Sequence, residues 1–188
     1  MSNLLSLASK MAVPGAETLP PVERWNPAYC GEIDMVIRRD GLWLHEGSPI
    51  GRPHLVRLFS TVLKREGDDY FLVTPVEKLA IRVEDVPFLA VAMEVEGTGE
   101  AQKIRFRTNV GDQVTAGPDH PLRFRREVVG TDETLVPYVE VRAGLEARLS
   151  RPVYYDFVDL IEGDPPAVAS DGAAFPLEAE PGKGARQS

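Results

Sequence analysis

Gly51-Arg52-Pro53-His54-Leu55-Val56-Arg57-Leu58-Phe59 and Ser150-Arg151-Pro152-Val153-Tyr154-Tyr155-Asp156-Phe157 are near-matching stretches in the two halves of one 188-residue chain. Each follows a short extended run, opens on Arg-Pro and closes on Gly-Asp, at Gly67-Asp68 and Gly163-Asp164. Proline suits the first turn of a helix, where its missing N–H has no intrahelical partner to lose. Leu55, Phe59, Val62 and Leu63 then recur at helical spacing, with Arg57, Lys64 and Arg65 on the outer side. Val153, Phe157, Leu160 and Ile161 do the same in the second copy. The pattern predicts one strand-then-helix plan used twice.

Working outward, Ile33, Met35 and Ile37 alternate with Asp34, Val36 and Arg38, the period of a strand with one covered face. Asp40-Gly41 supplies a turn and Leu42–His45 the return strand. Tyr70–Thr74 and Lys78–Val83 read as strands separated at Pro75. Pro87 cannot sit inside a continuing ladder, so the preferred boundary falls at 84–87. Beyond it, strands are expected over Phe88–Val95, Lys103–Asn109, a short piece after Gly111-Asp112, Leu122–Val128 and Tyr138–Val141, with a loop over 130–134. A last hairpin is expected over 167–177 around Asp171-Gly172. Few helices separate consecutive strands, which favours a mostly antiparallel α+β fold. The expected organisation is a flexible arm over 1–21, an N-terminal α+β domain over 22–84, a C-terminal α+β domain over 85–177 and a disordered tail over 178–188. The first half has a size that is marginal alone, so the two halves are expected to pack together and to leave a crevice suited to a small ligand.

A net charge of −8 and a pI near 5.0 argue against non-specific binding to nucleic acid or anionic membrane. Cys30 is the only cysteine, which excludes an internal disulfide and a multi-cysteine metal site and fits a reducing cytoplasm. No apolar run is long enough to span a bilayer, and the first ten residues lack the basic lead-in of a secretory signal. A cytoplasmic location is expected.

No motif announces a reaction. There is no P-loop, and Gly97-Thr98-Gly99 is half a dinucleotide fingerprint that leads into a strand, so it reads as a turn. Gly47-Ser48-Pro49-Ile50-Gly51 does not form a hydrolase elbow. His45, His54 and His120 lack metal-ligand spacing. Polar groups concentrate in two places. Lys103, Arg105, Arg107, Arg123, Arg125 and Arg126 form a basic strip that either meets a phosphate or carboxylate ligand or pairs with Glu94, Glu96, Glu140 and Glu146. Thr74-Pro75-Val76-Glu77-Lys78 is either a proline-broken site or a solvated turn. Arg52 and Arg151 stand where an anion meets free helix N–H groups.

Several strings together resemble the uncharacterised bacterial family known as domain of unknown function 1285. They are Cys30-Gly31-Glu32-Ile33-Asp34, Asp40-Gly41-Leu42-Trp43, Glu46-Gly47-Ser48-Pro49-Ile50-Gly51-Arg52-Pro53, Leu72-Val73-Thr74-Pro75-Val76-Glu77-Lys78, Thr108-Asn109-Val110-Gly111-Asp112, Gly117-Pro118-Asp119-His120-Pro121-Leu122 and Arg151-Pro152-Val153-Tyr154-Tyr155. The resemblance implies two duplicated α+β domains, the second superficially pleckstrin-homology-like. It also implies a pocket between them for a nucleotide-like ligand and a role in signal transduction. It names Arg52, Thr74, Glu77, Lys78, Asn109, Asp112, His120 and Arg123 as pocket residues, and it carries no catalytic residue, metal or cofactor. The expected function is a non-enzymatic regulatory module that binds a small anionic ligand. The alternatives are a scaffold for a protein partner, or a metal-assisted hydrolase using Asp112 and His120.

Overall fold

The computed structural model describes residues 4–11 and 19–180. Residues 1–3 and 12–18 of the expected arm over 1–21, and residues 181–188 of the expected tail over 178–188, lie outside them; within the arm Leu4–Met11 is helical, and within the tail Ala179 forms a bridge to Phe124. One unit runs to Pro87 and takes in Ala143–Leu145; the other holds Phe88–Arg142 and the chain from Glu146.

In the N-terminal unit, α1 (Leu4–Met11) buries Leu7, Ala8 and Met11. Three strands follow as a meander: β1 (Tyr29–Ile37), β2 (Trp43–His45) and β3 (Ser48–Pro49). The Asp40-Gly41 turn forms as its residue types require: Gly41 takes φ 83° and the Asp40 carboxylate accepts the Leu42 N–H at 3.1 Å. Next comes α2 (Pro53–Thr61), with proline in its first turn and Leu55 and Phe59 buried. A second meander completes the unit: β4 (Leu63–Glu66), β5 (Asp69–Val73) and β6 (Lys78–Val83). The strand order is β3-β2-β1-β6-β5-β4. Every pair is antiparallel except β1–β6.

Here the helix prediction needs correcting. The chain leaves α2 at Thr61, and Leu63–Glu66 is a strand. Lys64 and Arg65 therefore belong to the sheet and not to the outer side of a helix. Lys64 is buried, and its ammonium donates to the Trp25 carbonyl at 2.9 Å. Gly67-Asp68 turns the β4–β5 hairpin, with Glu66 opposite Asp69.

The C-terminal unit repeats the plan. The first meander is β7 (Phe88–Glu96), β8 (Lys103–Thr108) and β9 (Gln113–Thr115); the second is β10 (Leu122–Val129), β11 (Asp132–Arg142) and β12 (Leu145–Leu149). The order β10-β11-β12-β7-β8-β9 again joins two meanders through one parallel pair, β7–β12. The loop expected over 130–134 shrinks to Gly130-Thr131, because Asp132, Glu133 and Thr134 pair with Val129, Val128 and Glu127. After β12, α3 (Arg151–Val158) buries Val153 and Phe157. The Phe157 ring lies 6.5 Å from Phe106 and 6.3 Å from Phe124. Leu160 and Ile161 fall in the turn after the helix rather than on its inner side. The expected last hairpin is β13 (Ala167–Ser170) with β14 (Ala173–Pro176). Its buried Ser170 hydroxyl accepts from the Ile104 N–H (2.9 Å) and donates to the Ala116 carbonyl (2.7 Å). No described helix is long and apolar enough to cross a membrane.

Candidate ligand groove and the predicted site residues

A recess of about 760 Å³ lies on the N-terminal sheet where β1 meets β6 and β5. Its origin is a mismatch in strand length. Tyr29 and Gly31 pair with Lys78 and Leu79, so β1 advances two residues against one. From Glu32 to Val36 it then advances four against the two of Ala80 to Arg82. Gly31, at φ 114°, permits the first shift. The surplus residues bow out of the ladder, as a bulge does, and Ile33, Asp34 and Met35 line the recess.

Alternation along a strand brings every second side chain to the same face. Lys78, Ala80 and Arg82 of β6 share one face, with Phe71 and Glu32 in register beside Ala80. The Tyr29 and Phe71 rings meet edge to face at 6.4 Å, and the Lys78 ammonium lies 5.1 Å from the Phe71 centroid. Lys78 also donates to Glu66 at 2.8 Å. This hydrogen bond, chief among the causes, lowers the Glu66 pKa against the opposing effect of burial; the charges of Lys78 and Lys64 add to it. Glu32, Asp34 and Asp69 bring three carboxylates to the rim, and exposed Arg82 brings a guanidinium. The arrangement offers an aromatic edge, a cation held against a ring and separate acceptors for hydroxyl or ammonium donors.

Of the predicted residues, Arg52, Thr74, Glu77 and Lys78 belong to this unit. Only Lys78 lines the groove. Thr74 is buried and its hydroxyl accepts the N–H groups of Val76 (3.3 Å) and Glu77 (3.0 Å), which makes it the staple of the β5–β6 turn. Glu77 faces Lys10 at 3.7 Å. Arg52 is exposed and extended at the start of α2.

Asn109, Asp112, His120 and Arg123 belong to the C-terminal unit. The Asn109 side chain accepts the Leu89 N–H at 3.0 Å. Asp112 is paired with Arg142. His120 Nδ1 lies 3.0 Å from the Glu140 carbonyl oxygen, and Arg123 donates to the Glu140 carboxylate at 3.2 Å, so these two converge on one residue. The basic strip is largely matched by acids, the second of the two readings given above. Arg105 meets Glu94 and Glu96; Arg123 and Arg125 share the buried Glu146; Arg126 meets Glu133. Among the described residues, no group of three or more His, Cys, Asp or Glu side chains is disposed to hold a metal ion. Sequence reasoning missed Tyr29, Glu32, Phe71 and Arg82; the signal that could have found them was Gly31 inside a strand pattern, which marks a bulge.

The family model for the N-terminal domain of DUF1285, a domain of unknown function, matches residues 20–86. The model for the DUF1285 C-terminal domain matches residues 87–177. The chain belongs to the DUF1285 family. A crystal structure of a DUF1285 family protein from Silicibacter pomeroyi DSS-3 is 45% identical with a TM-score of 0.87, over 95% of this chain and 96% of that one. A DUF1285 family protein from Shewanella baltica OS155 is 27% identical with a TM-score of 0.52, over 68% of this chain and 91% of that one. No curated protein matches the chain. The Cys30–Asp34 string that carries part of the DUF1285 resemblance lies in the bulged segment of β1, and its Glu32, Ile33 and Asp34 line the groove.

Proposed function

We propose that the protein is a regulatory module that binds a small nucleotide-like ligand in the groove of its N-terminal sheet and takes part in signal transduction. The observation that carries this reading is one row of chemistry across three strands: Tyr29 and Phe71, then Lys78 and Arg82, then Glu32 and Asp34. A base has a π-face to set against the two rings. Ribose hydroxyls are donors that carboxylates accept, and a phosphate suits the Arg82 guanidinium. The size of the recess lies in the range usual for small-ligand sites. The carboxylates also set a limit. With Glu32, Asp34 and Asp69 nearby, each further phosphate meets repulsion, so a nucleoside monophosphate suits the groove better than a triphosphate. Exposed Cys30 fits a reducing, cytoplasmic setting for this role.

Thermal melting of the full chain with nucleosides, nucleoside monophosphates, triphosphates and inorganic phosphate tests the reading. A monophosphate is expected to raise Tm more than the matching triphosphate, and the shift is expected to vanish in Phe71→Ala and in Arg82→Ala. A panel that leaves Tm unmoved, or a shift that survives both substitutions, overturns it.

A further inference from the structure

The outer edge of β10 has a backbone logic that can be read from its pairing with β11. Glu140 donates its N–H to the Pro121 carbonyl, which makes Leu122–Val139 a non-hydrogen-bonded pair. Pairing continues without a shift to Val129–Asp132. Phe124, Arg126 and Val128 are therefore also non-hydrogen-bonded toward β11, and their N–H and C=O groups point to the open side. At Phe124 that side is already taken. Ala179 bridges it in parallel, and the Glu180 N–H donates to the Phe124 carbonyl at 2.8 Å. The Glu180 carboxylate reaches Arg123 Nε at 3.4 Å and Arg125 Nε at 4.0 Å. The chain thus lays its own Glu178–Glu180 along the start of the edge. Farther along, Val128 is 68% exposed.

We propose that the β10 edge is a docking site for an extended acidic peptide of another protein, and that Glu178–Glu180 is a built-in competitor seated at its first position. The self-contact defines the partner's chemistry: a strand running parallel to β10, a carboxylate for Arg123 and Arg125, and an apolar side chain farther on for Val128. Replacing Glu180 by the partner's carboxylate leaves the local charge unchanged, while Arg126 and Val128 gain ladder bonds that the self-segment does not supply among the described residues. This is strand addition, in which main-chain bonds give affinity and alternate side chains give specificity. A second copy of this chain is a poor occupant, because β10 against β10 sets Arg123, Arg125 and Arg126 against their own counterparts. The proposal does not depend on the groove of the N-terminal unit.

The test is fluorescence polarisation of a labelled peptide, Leu-Glu-Ala-Glu-Val-Thr-Val, against the full chain. Glu180→Pro removes both the N–H and the carboxylate of the competitor. It is expected to tighten binding about tenfold if that segment holds the edge nine-tenths of the time. Val128→Pro removes only an outward N–H and is expected to abolish binding with Tm retained. Peptides N-methylated at the second glutamate or at the threonine are expected to lose binding, whereas methylation of the valine between them leaves it intact; this arm requires no change to the protein. Absence of binding by both wild type and Glu180→Pro, indifference to the position of the methyl group, or dimerisation of Glu180→Pro in place of peptide binding overturns the proposal.

Discussion

Glu66 shows how a single side chain couples the groove to pH. The Lys78 hydrogen bond holds its pKa below the ordinary 4.5. A depressed carboxylate contributes stability that is fully present above its unfolded pKa and is lost as pH falls through the folded value. Glu66→Gln is therefore expected to lower Tm at pH 6, and the gap from wild type is expected to close as the pH is taken down toward 3. A gap that stays constant would assign the loss to packing. Lys78 itself was legible in the sequence, because Pro75 broke a strand beside a hydroxyl, a carboxylate and an ammonium. Its neighbours were not. Tyr29 and Phe71 are far apart in the chain and meet through the Tyr29–Lys78 register and the face that Lys78 shares with Phe71, which no local spacing encodes. Thr74, Asn109 and Asp112 show the opposite limit. Polar residues beside Pro and Gly read as a site, but here their side chains close turns or ion pairs.

Turns were the most legible elements and helix ends the least. Glycine and proline act on the backbone directly, so Asp40-Gly41, Gly97-Thr98-Gly99 and Asp171-Gly172 announce themselves. The end of α2 does not. Val62 and Leu63 are both fully buried, and apolar spacing is the same whether the helix continues or the chain reverses into a covered strand. The better signal was Gly67-Asp68 between two polar-apolar runs, a hairpin pair. Gly67 and Gly97 also separate two causes of glycine's use. Gly67 has φ 64° and a Cβ added there would have no neighbour within 4 Å, whereas at Gly97, φ 73°, a Cβ would meet the Ala101 carbonyl oxygen at 2.6 Å. Gly67→Ala is expected to lose about 1–2 kcal/mol, the conformational penalty alone. Gly97→Ala adds a backbone clash, and its denaturant midpoint is expected to fall roughly twice as far. Equal losses would mean that the 97–102 turn relaxes freely.

At the scale of the whole molecule, each sheet is two meanders closed by one parallel pair, β1–β6 and β7–β12. The scarcity of helices between consecutive strands predicted mostly antiparallel sheets; the parallel seams were illegible because they join the first strand of one meander to the last of the next. That separation has a kinetic consequence. Meanders close short loops, whereas the seam must first enclose the intervening chain, and loop closure grows more costly with length. Val83 is a clean reporter, since it pairs with Ile37 across the seam while the β5–β6 ladder ends at Ile81. Leu72, buried within the second meander and opposite Leu63, reports on the local pairs. Trp43, 1% exposed on β2, supplies the fluorescence. Val83→Ala is expected to speed unfolding with little effect on refolding, a φ-value below about 0.3, while Leu72→Ala slows refolding with a φ-value above about 0.5. The reverse ranking in stopped-flow measurements would mean that the seam nucleates the sheet and that the bulged β1 is in place before either meander, which would make the groove the first feature of the unit to form.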